Sequence, residues 1–343
     1  VLTPAQAGYY MPAEWLPHER CWMAWPCNAK LWGEGLDAAR HAYARVARTI
    51  ARFEPVIMVA NPDHCAQALN LCGADVQVLP LSINDSWMRD TGPSFLLDAQ
   101  RRVAGVDWQF NNYGNKYGEP ELTYQNDAAT AKRILDHVAA RRFAAPLVLE
   151  GGSIHTDGEG TLLTTEQCLL NPNRNPQLSR REIEERLKNY LGIARIVWLG
   201  RGLQDDDTDG HVDNLACFVR PGVVMALTST DPQDANYVIL QDNLQRLRAA
   251  RDVGGRSLEI IEVEQPRKRM HRGVRLAMSY INFYLANGAV IMPSFDQPEY
   301  DDAAARVAAK AFPEREVVQV PGGDIIKGGG NVHCITQQQP RGM

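Results

Sequence analysis

One pattern recurs five times along the chain and restricts what it can become: an apolar strand, a loop rich in Asn, Asp or Pro, a helix, and a second apolar strand. The first copy runs Pro55-Val56-Ile57-Met58-Val59-Ala60, Asn61-Pro62-Asp63, a short helix near Leu69, and Val76 to Leu81. The second takes Val103 to Phe110, a Gly/Asn-rich loop, a helix over Asp127 to Arg141, and Pro146 to Leu149. The third is Thr161 to Thr165, a helix from Ser179 to Leu191, and Arg195 to Leu199; Ser179 and Glu182 have the spacing of a capping box. Val223 to Leu227, a helix from about Ala235 to Arg251, and Leu258 to Val263 form the fourth. The fifth is Ala289 to Pro293, a helix from Tyr300 to Phe312, and Glu316 to Val320.

A unit of this kind cannot bury both faces of its own sheet. Five of them are therefore expected to close about an axis as a five-bladed α/β propeller of ββαβ-like units with a central site. An open α/β sheet shares the alternation of strand and helix and is the competing fold. No low-complexity run or linker divides the chain, so residues 1–343 are expected to form one domain. Ahead of the first unit, Leu36, Tyr43, Val46, Ile50 and Phe53 share one face of a helix. Trp15, Trp22, Trp25 and Trp32 are expected to cover one end of the core.

Charge and composition narrow the partners. A net charge of −5 and a pI near 5.9 give no footprint for nucleic acid or an anionic membrane, and the sign suits a small cationic substrate. No run approaches the roughly 18 to 20 apolar residues that span a bilayer. The opening Val1-Leu2-Thr3-Pro4-Ala5-Gln6 lacks the basic start and apolar stretch of a secretory leader. Seven cysteines without a dense framework are expected as free, mostly buried thiols in a reducing, cytoplasmic compartment, rather than as Cys21–Cys27 or Cys65–Cys72 pairs.

Polar clusters follow four of the five closing strands. They are Asn84 to Pro93, Glu150-Gly151-Gly152-Ser153-Ile154-His155, Asp205 to Asn214, and the glycine-rich run Gly328-Gly329-Gly330-Asn331-Val332-His333-Cys334. If equivalent strands point to one centre, these loops meet and bring Asp90, Glu150, His211, Asp213 and Cys334 together. Cys334 is then a nucleophile, and His211 forms its thiolate or acts as acid and base on the electrophile. Three carboxylates exceed what a Cys-His amide hydrolase needs and would raise the thiol pKa unless a cation joined them. A planar guanidinium, with five N–H donors for flanking carboxylates, is such a cation, and clamping would fix its carbon near the sulfur.

Each residue also has a plainer reading. Cys334 can be a small buried hydrophobe, Trp87 core rather than a cation–π wall, and Glu150 a structural carboxylate. His333 is expected to be structural, because adjacent side chains in an extended stretch point to opposite faces. Asp205-x-Asp207-x-Asp209-Gly210 imitates the start of a calcium loop, but Ala216 stands where a bidentate Glu is required. His155, His211, Cys217 and His333 lack the paired spacing of a zinc site, and the glycine run has no following Gly-Lys-Ser/Thr of a phosphate loop. Neither a metal nor a cofactor is expected.

The same residues resemble a known family. Met11-Pro12-Ala13-Glu14-Trp15 with Pro17-His18-Glu19-Arg20, Trp87 to Pro93, Glu150-Gly151-Gly152, Asp207 to Asn214, and Gly328 through Pro340 are similar, in order and over nearly the whole chain, to the motifs of the agmatine deiminases. These are guanidino-group-modifying enzymes with the pentein fold, a five-bladed α/β propeller. The resemblance implies that Cys334 attacks the guanidinium carbon and that ammonia leaves, after which water hydrolyses an amidino-cysteine intermediate. It implies that His211 is general acid and base, that Glu150 orients His211, that Asp90 and Asp213 grip the guanidinium, and that Trp87 packs on its plane. Gly328 and Gly329 would give close backbone contacts, and Asp207 would meet the substrate at its amine end. A homo-oligomer is compatible with family habit. Arginine or peptidyl arginine as substrate, and a non-catalytic guanidine or polyamine binder, are the alternatives; Arg89 and Arg201 keep an α-carboxylate in play.

Overall fold

In five successive sheets the central strand is buried along nearly its whole length and runs parallel to a closing strand. The computed structural model describes residues 2–116 and 118–343; Val1, where the leader reading begins, lies outside them. Val56–Ala60, Thr161–Thr165, Val223–Thr228 and Ala289–Ser294 are the central strands of the first, third, fourth and fifth sheets. Each opens in the same register with its closing strand: Val56 faces Val76, Thr161 faces Arg195, Val223 faces Glu259 and Ala289 faces Glu316. Continuous apolar runs such as Val-Ile-Met-Val-Ala suit a strand covered on both faces. The closing strands Glu259–Glu264 and Glu316–Pro321 keep exposed or half-buried residues, as outer edges do.

Every sheet carries a further antiparallel strand that the repeat pattern leaves out. Ser94–Asp98, His155–Thr156, Ala216–Arg220 and Tyr284–Ala286 pair in this way with the central strands of the second to fifth sheets. In the first sheet the order is Thr336–Pro340, His18–Ala24, Val56–Ala60, Val76–Pro80, so the last strand of the chain lies antiparallel on the first long one.

Helices fill the gaps between neighbouring sheets. Leu36–Ala51 packs on its own sheet and on the two parallel strands of the fifth, and Pro298–Ala311 bridges the fourth and fifth. With Thr336–Pro340 against Ser94–Asp98, and His155–Thr156 against Ala216–Arg220, the contacts close a five-bladed α/β propeller. Tyr43, Val46 and Ile50 are fully buried on the inner face of Leu36–Ala51, each worth about 1.5–3 kcal/mol of transfer free energy.

Two details depart from the sequence reading. The helix expected over Asp127 to Arg141 is two short ones, Gln125–Ala128 and Thr130–His137, and Arg141 begins the strand Arg141–Val148 instead. Ala139, with φ 52°, turns the chain between them in the left-handed region that a Cβ disfavours. The four early tryptophans do not cover one end: Trp22, Trp25 and Trp32 are all buried, but Trp22 lies in a different apolar cluster from Trp25 and Trp32, Trp15 packs half-buried on a third, and Trp32 stacks on Trp87 with ring centroids 6.0 Å apart.

Candidate active site

The loops after the closing strands converge as the alternation of strands requires. The segment after Val76–Pro80 ends in a one-turn helix, Met88–Thr91, that carries Asp90. The turn after Arg141–Val148 carries Glu150 and Gly152, and that after Arg195–Leu199 carries His211 and Asp213. Cys334 sits in the last turn, and its carbonyl accepts from the Arg89 N–H at 3.0 Å. The fourth loop, to which the sequence assigned no chemistry, supplies Asn282, whose Nδ2 donates to Cys334 Sγ at 3.2 Å.

Gly152 shows how tightly these parts meet. A Cβ there would lie 2.6 Å from His211 Nδ1, 2.9 Å from Asp213 Oδ2 and 3.0 Å from Asp90 Oδ1. Only glycine leaves room for that approach. Its N–H donates to Asp90 Oδ1 at 2.9 Å, and the Tyr113 hydroxyl donates to Asp90 Oδ2 at 3.0 Å.

Charge is arranged in layers. Glu150 is fully buried and accepts from Arg174 Nε at 2.8 Å; burial alone would raise its pKa, but the Arg174 and His211 charges hold it below the usual carboxylate range. Its Oε2 faces His211 Nε2 at 3.7 Å, and Asp90 Oδ1 faces His211 Nδ1 at 3.8 Å. Those are ion-pair distances rather than hydrogen bonds. Burial opposes charge on His211, yet Asp90, Cys168 and Glu150 together outweigh it and hold the ring well above its ordinary pKa. Burial, with Asp213 and Glu150 adding against His211, pushes Asp90 up to about 6.

The Cys334 thiol is only 4% exposed and lies 3.5 Å from Asp213 Oδ2. Burial first, then the Asp213 and Asp90 charges, lift it well above the usual thiol pKa. Asp213 Oδ1, also buried, has no hydrogen-bond partner among the described residues. An unpaired carboxylate oxygen on the residue that touches the thiol can accept from an N–H donor.

Cys334 and Asp90 open onto a cavity of about 770 Å³ walled by Trp87, Tyr113, Asp207 and Gly328 to Gly330. Trp87 stacks on Trp32, and the Trp32 ring leaves no space for a Cβ at Gly328. Of the loop's aspartates only Asp207 is among the lining residues, with Thr208 beside it. Asp209 is bound by Arg174 and Lys116, each at 2.7 Å; Asp206 caps Thr208; Asp205 accepts from the Arg275 N–H. Farther along the wall, burial pushes Asp85 up to about 6 and, with the Asp85 charge adding, Asp127 up to about 8.

Two expectations are corrected here. Arg89 and Arg201 do not line the cavity: Arg89 is buried against Glu14 at 3.3 Å, and Arg201 is exposed on the surface. His333 lies in a turn rather than an extended stretch, so it and Cys334 face the same cluster; its Nδ1 meets Asp213 Oδ2 at 2.9 Å. Sequence reasoning also passed over Arg174, Tyr113 and Asn282. Arg and Tyr occur throughout the chain, and Asn282 sits in an apolar run with no charged neighbour to mark it. Glu150, Cys168 and His211 are the group whose ligand atoms converge enough to hold a metal among the described residues, within 4.8 Å of one another. Arg174 already brings a cation to Glu150 there. Among the described residues no helix is long and apolar enough to cross a membrane, and all seven cysteines are free.

Comparison with known proteins gives consistent likenesses. A family model described as Porphyromonas-type peptidyl-arginine deiminase matches residues 10–340. A Legionella pneumophila (strain Philadelphia 1) protein is 50% identical over 341 residues, covering 99% of this chain and 97% of its own. The agmatine deiminase of Pseudomonas aeruginosa (strain LESB58) is 46% identical, with 98% and 97% covered. The solved agmatine deiminase of Enterococcus faecalis superposes with a TM-score of 0.95 at 35% identity, covering 99% of this chain and 98% of that one.

Proposed function

The chain belongs to the Porphyromonas-type peptidyl-arginine deiminase family, and on that premise we propose that it hydrolyses agmatine to N-carbamoylputrescine and ammonia through Cys334. The observation that carries the reading is the buried Asp213 carboxylate, whose Oδ2 lies 3.5 Å from the Cys334 thiol and whose Oδ1 has no hydrogen-bond partner among the described residues, with Asp90 on the cavity wall. Two carboxylates can accept the N–H donors of one guanidinium and hold its carbon against the sulfur.

In this mechanism the substrate supplies the charge that the thiol lacks. Asp213 and Asp90 disfavour a thiolate in the empty site, and a guanidinium between them removes that penalty. The thiol proton passes to solvent as the guanidinium enters, and the sulfur then adds to the guanidinium carbon. The C–N bond breaks as the departing nitrogen takes a proton from the cationic His211. Water, giving its proton back to His211, adds to the amidino carbon, and the C–S bond breaks to return the thiol and release the ureido product. Asp90 foremost, with Glu150 fixed by Arg174 on the other ring nitrogen, keeps His211 charged. Trp87 provides a π-face for the guanidinium, and Gly328 and Gly329 leave the backbone close to it.

The far wall favours an ammonium over an α-carboxylate. Asp207 and Asp85 line it as carboxylates at neutral pH and Asp127 as a mostly neutral acid, while Lys30 and Lys116 at the same wall are already paired with Glu119 and Asp209. Free thiols and a net charge of −5 fit a cytoplasmic enzyme acting on a small cation.

Ureido product should form rapidly from agmatine and slowly from L-arginine when both are assayed after chelation, and Cys334→Ser should abolish it. Preference for arginine would overturn the amine assignment. Turnover persisting in Cys334→Ser would remove the nucleophile.

A further inference from the structure

Behind Asp213 stands a second, buried charge chain. His333 Nδ1 meets Asp213 Oδ2 at 2.9 Å, and His333 Nε2 meets Glu14 Oε1 at 2.9 Å and Oε2 at 3.1 Å. All three side chains are at most 5% exposed. An ionised carboxylate only accepts, so a ring with a carboxylate at each nitrogen carries a hydrogen on both and is an imidazolium. Burial and Arg89 oppose that charge, but Glu14 and Asp213 outweigh them and raise the His333 pKa. The ring in turn helps to hold Asp213 below the usual carboxylate range against its burial.

We propose that His333, backed by Glu14, is a positioning residue that aims Asp213 so that Oδ2 is engaged and Oδ1 is free to take the guanidinium. This rests on the reading that Asp213 grips that group. The two clamps are thus built differently: Asp90 is held by neutral donors, Gly152 N–H and Tyr113 OH, whereas Asp213 is held by a cation. The His333 backbone serves the nucleophile separately, since its N–H donates to Asn282 Oδ1 at 3.0 Å and Asn282 donates to Cys334 Sγ. Substituting the side chain leaves that second connection in place.

The test is steady-state kinetics with agmatine on wild type, His333→Ala, His333→Asn, Glu14→Gln and Asp213→Asn, alongside thermal unfolding of each. His333→Ala should raise KM roughly 10- to 100-fold, the worth of one charge-assisted hydrogen bond, with a smaller change in kcat. His333→Asn presents an amide N–H near the place of Nδ1–H and should recover most of the binding.

Charged and titratable groups facing the ring are Glu14, Asp213, Arg89, His155 and the Cys334 thiol. Removing the Glu14 charge lowers the His333 pKa, so in Glu14→Gln the KM should climb with rising pH at a lower pH than in wild type. Equal impairment of His333→Ala and His333→Asn, or a loss of stability with KM and its pH profile unmoved, would reduce the ring to packing and overturn the proposal. Asp213→Asn separates the two levels. If it binds agmatine normally, the grip reading itself fails; if it loses binding while His333→Ala does not, only the positioning role fails.

Discussion

Cys334, the nucleophile we propose, is surrounded by the wrong charge for that role. Asp213 and Asp90 both work against its ionisation, after burial itself. The arrangement becomes productive only when a cation enters, which ties reactivity to occupancy. It also makes protons move on binding. Near pH 6 Asp90 is about half protonated, and a bound guanidinium favours its carboxylate; the same cation opposes the charge on His211. The Asp90 change sends protons to solvent, while His211, held well above its ordinary pKa, keeps its charge near pH 6. Calorimetry of agmatine binding to Cys334→Ser, repeated in two buffers of different ionisation enthalpy, should show net proton release at pH 6 that shrinks toward pH 8 as Asp90 is already ionised. Net uptake would contradict the charge assignment. At this scale the sequence was readable where residues carry charge or sulfur: Cys334, His211, Glu150, Asp90 and Asp213 all fall at one centre. It was silent where the work is done by an ordinary amide, phenol or guanidinium, as with Asn282, Tyr113 and Arg174.

Short turns, more than helices or strands, set the geometry. Gly152 has no unusual φ, so its value is space alone: His211, Asp213 and Asp90 all crowd the position where a Cβ would stand. Gly152→Ala should therefore push His211 and the carboxylates apart. A misplacement near 1 Å is enough to cost about 100-fold in kcat/KM, while the backbone itself gains a little rigidity from alanine. Activity and thermal midpoint measured together test this; an active Gly152→Ala would mean that the cluster tolerates the displacement. The repeat units were legible because apolar strands and amphipathic helices keep their periods whatever surrounds them. Their short antiparallel partners were not, since two or three residues such as His155–Thr156 or Tyr284–Ala286 carry no period to read. Likewise, nothing local marks Ala139 as the left-handed break that ends a helix.

Across the whole molecule, the chain's two ends lock one sheet, and the lock lies a few residues from the nucleophile. Thr336–Pro340 pairs with His18–Ala24, and Trp22 Nε1 donates to Gln339 Oε1 at 3.0 Å. Gln337, Gln338 and Gln339 are at most 7% exposed, an unusual burial for three successive amides. Freeing this strand would expose Trp22 and untether the turn that holds Cys334, so the catalytic loop has little freedom to open alone. We propose that the five blades form one cooperative domain on this basis. Native-state hydrogen exchange is the appropriate measurement, because it reads opening free energies element by element. Amides of Thr336–Gln339 should exchange with the same free energy and denaturant dependence as those of Ala289–Ser294 in the fifth sheet. The small hairpin formed by Met270–His271 and Val274–Arg275, where Met270 and Val274 are about half exposed, should exchange earlier by local opening. If the last strand instead exchanged as early as that hairpin, the ring would open at its seam, and loss of activity on warming would precede unfolding because Cys334 would leave its place first.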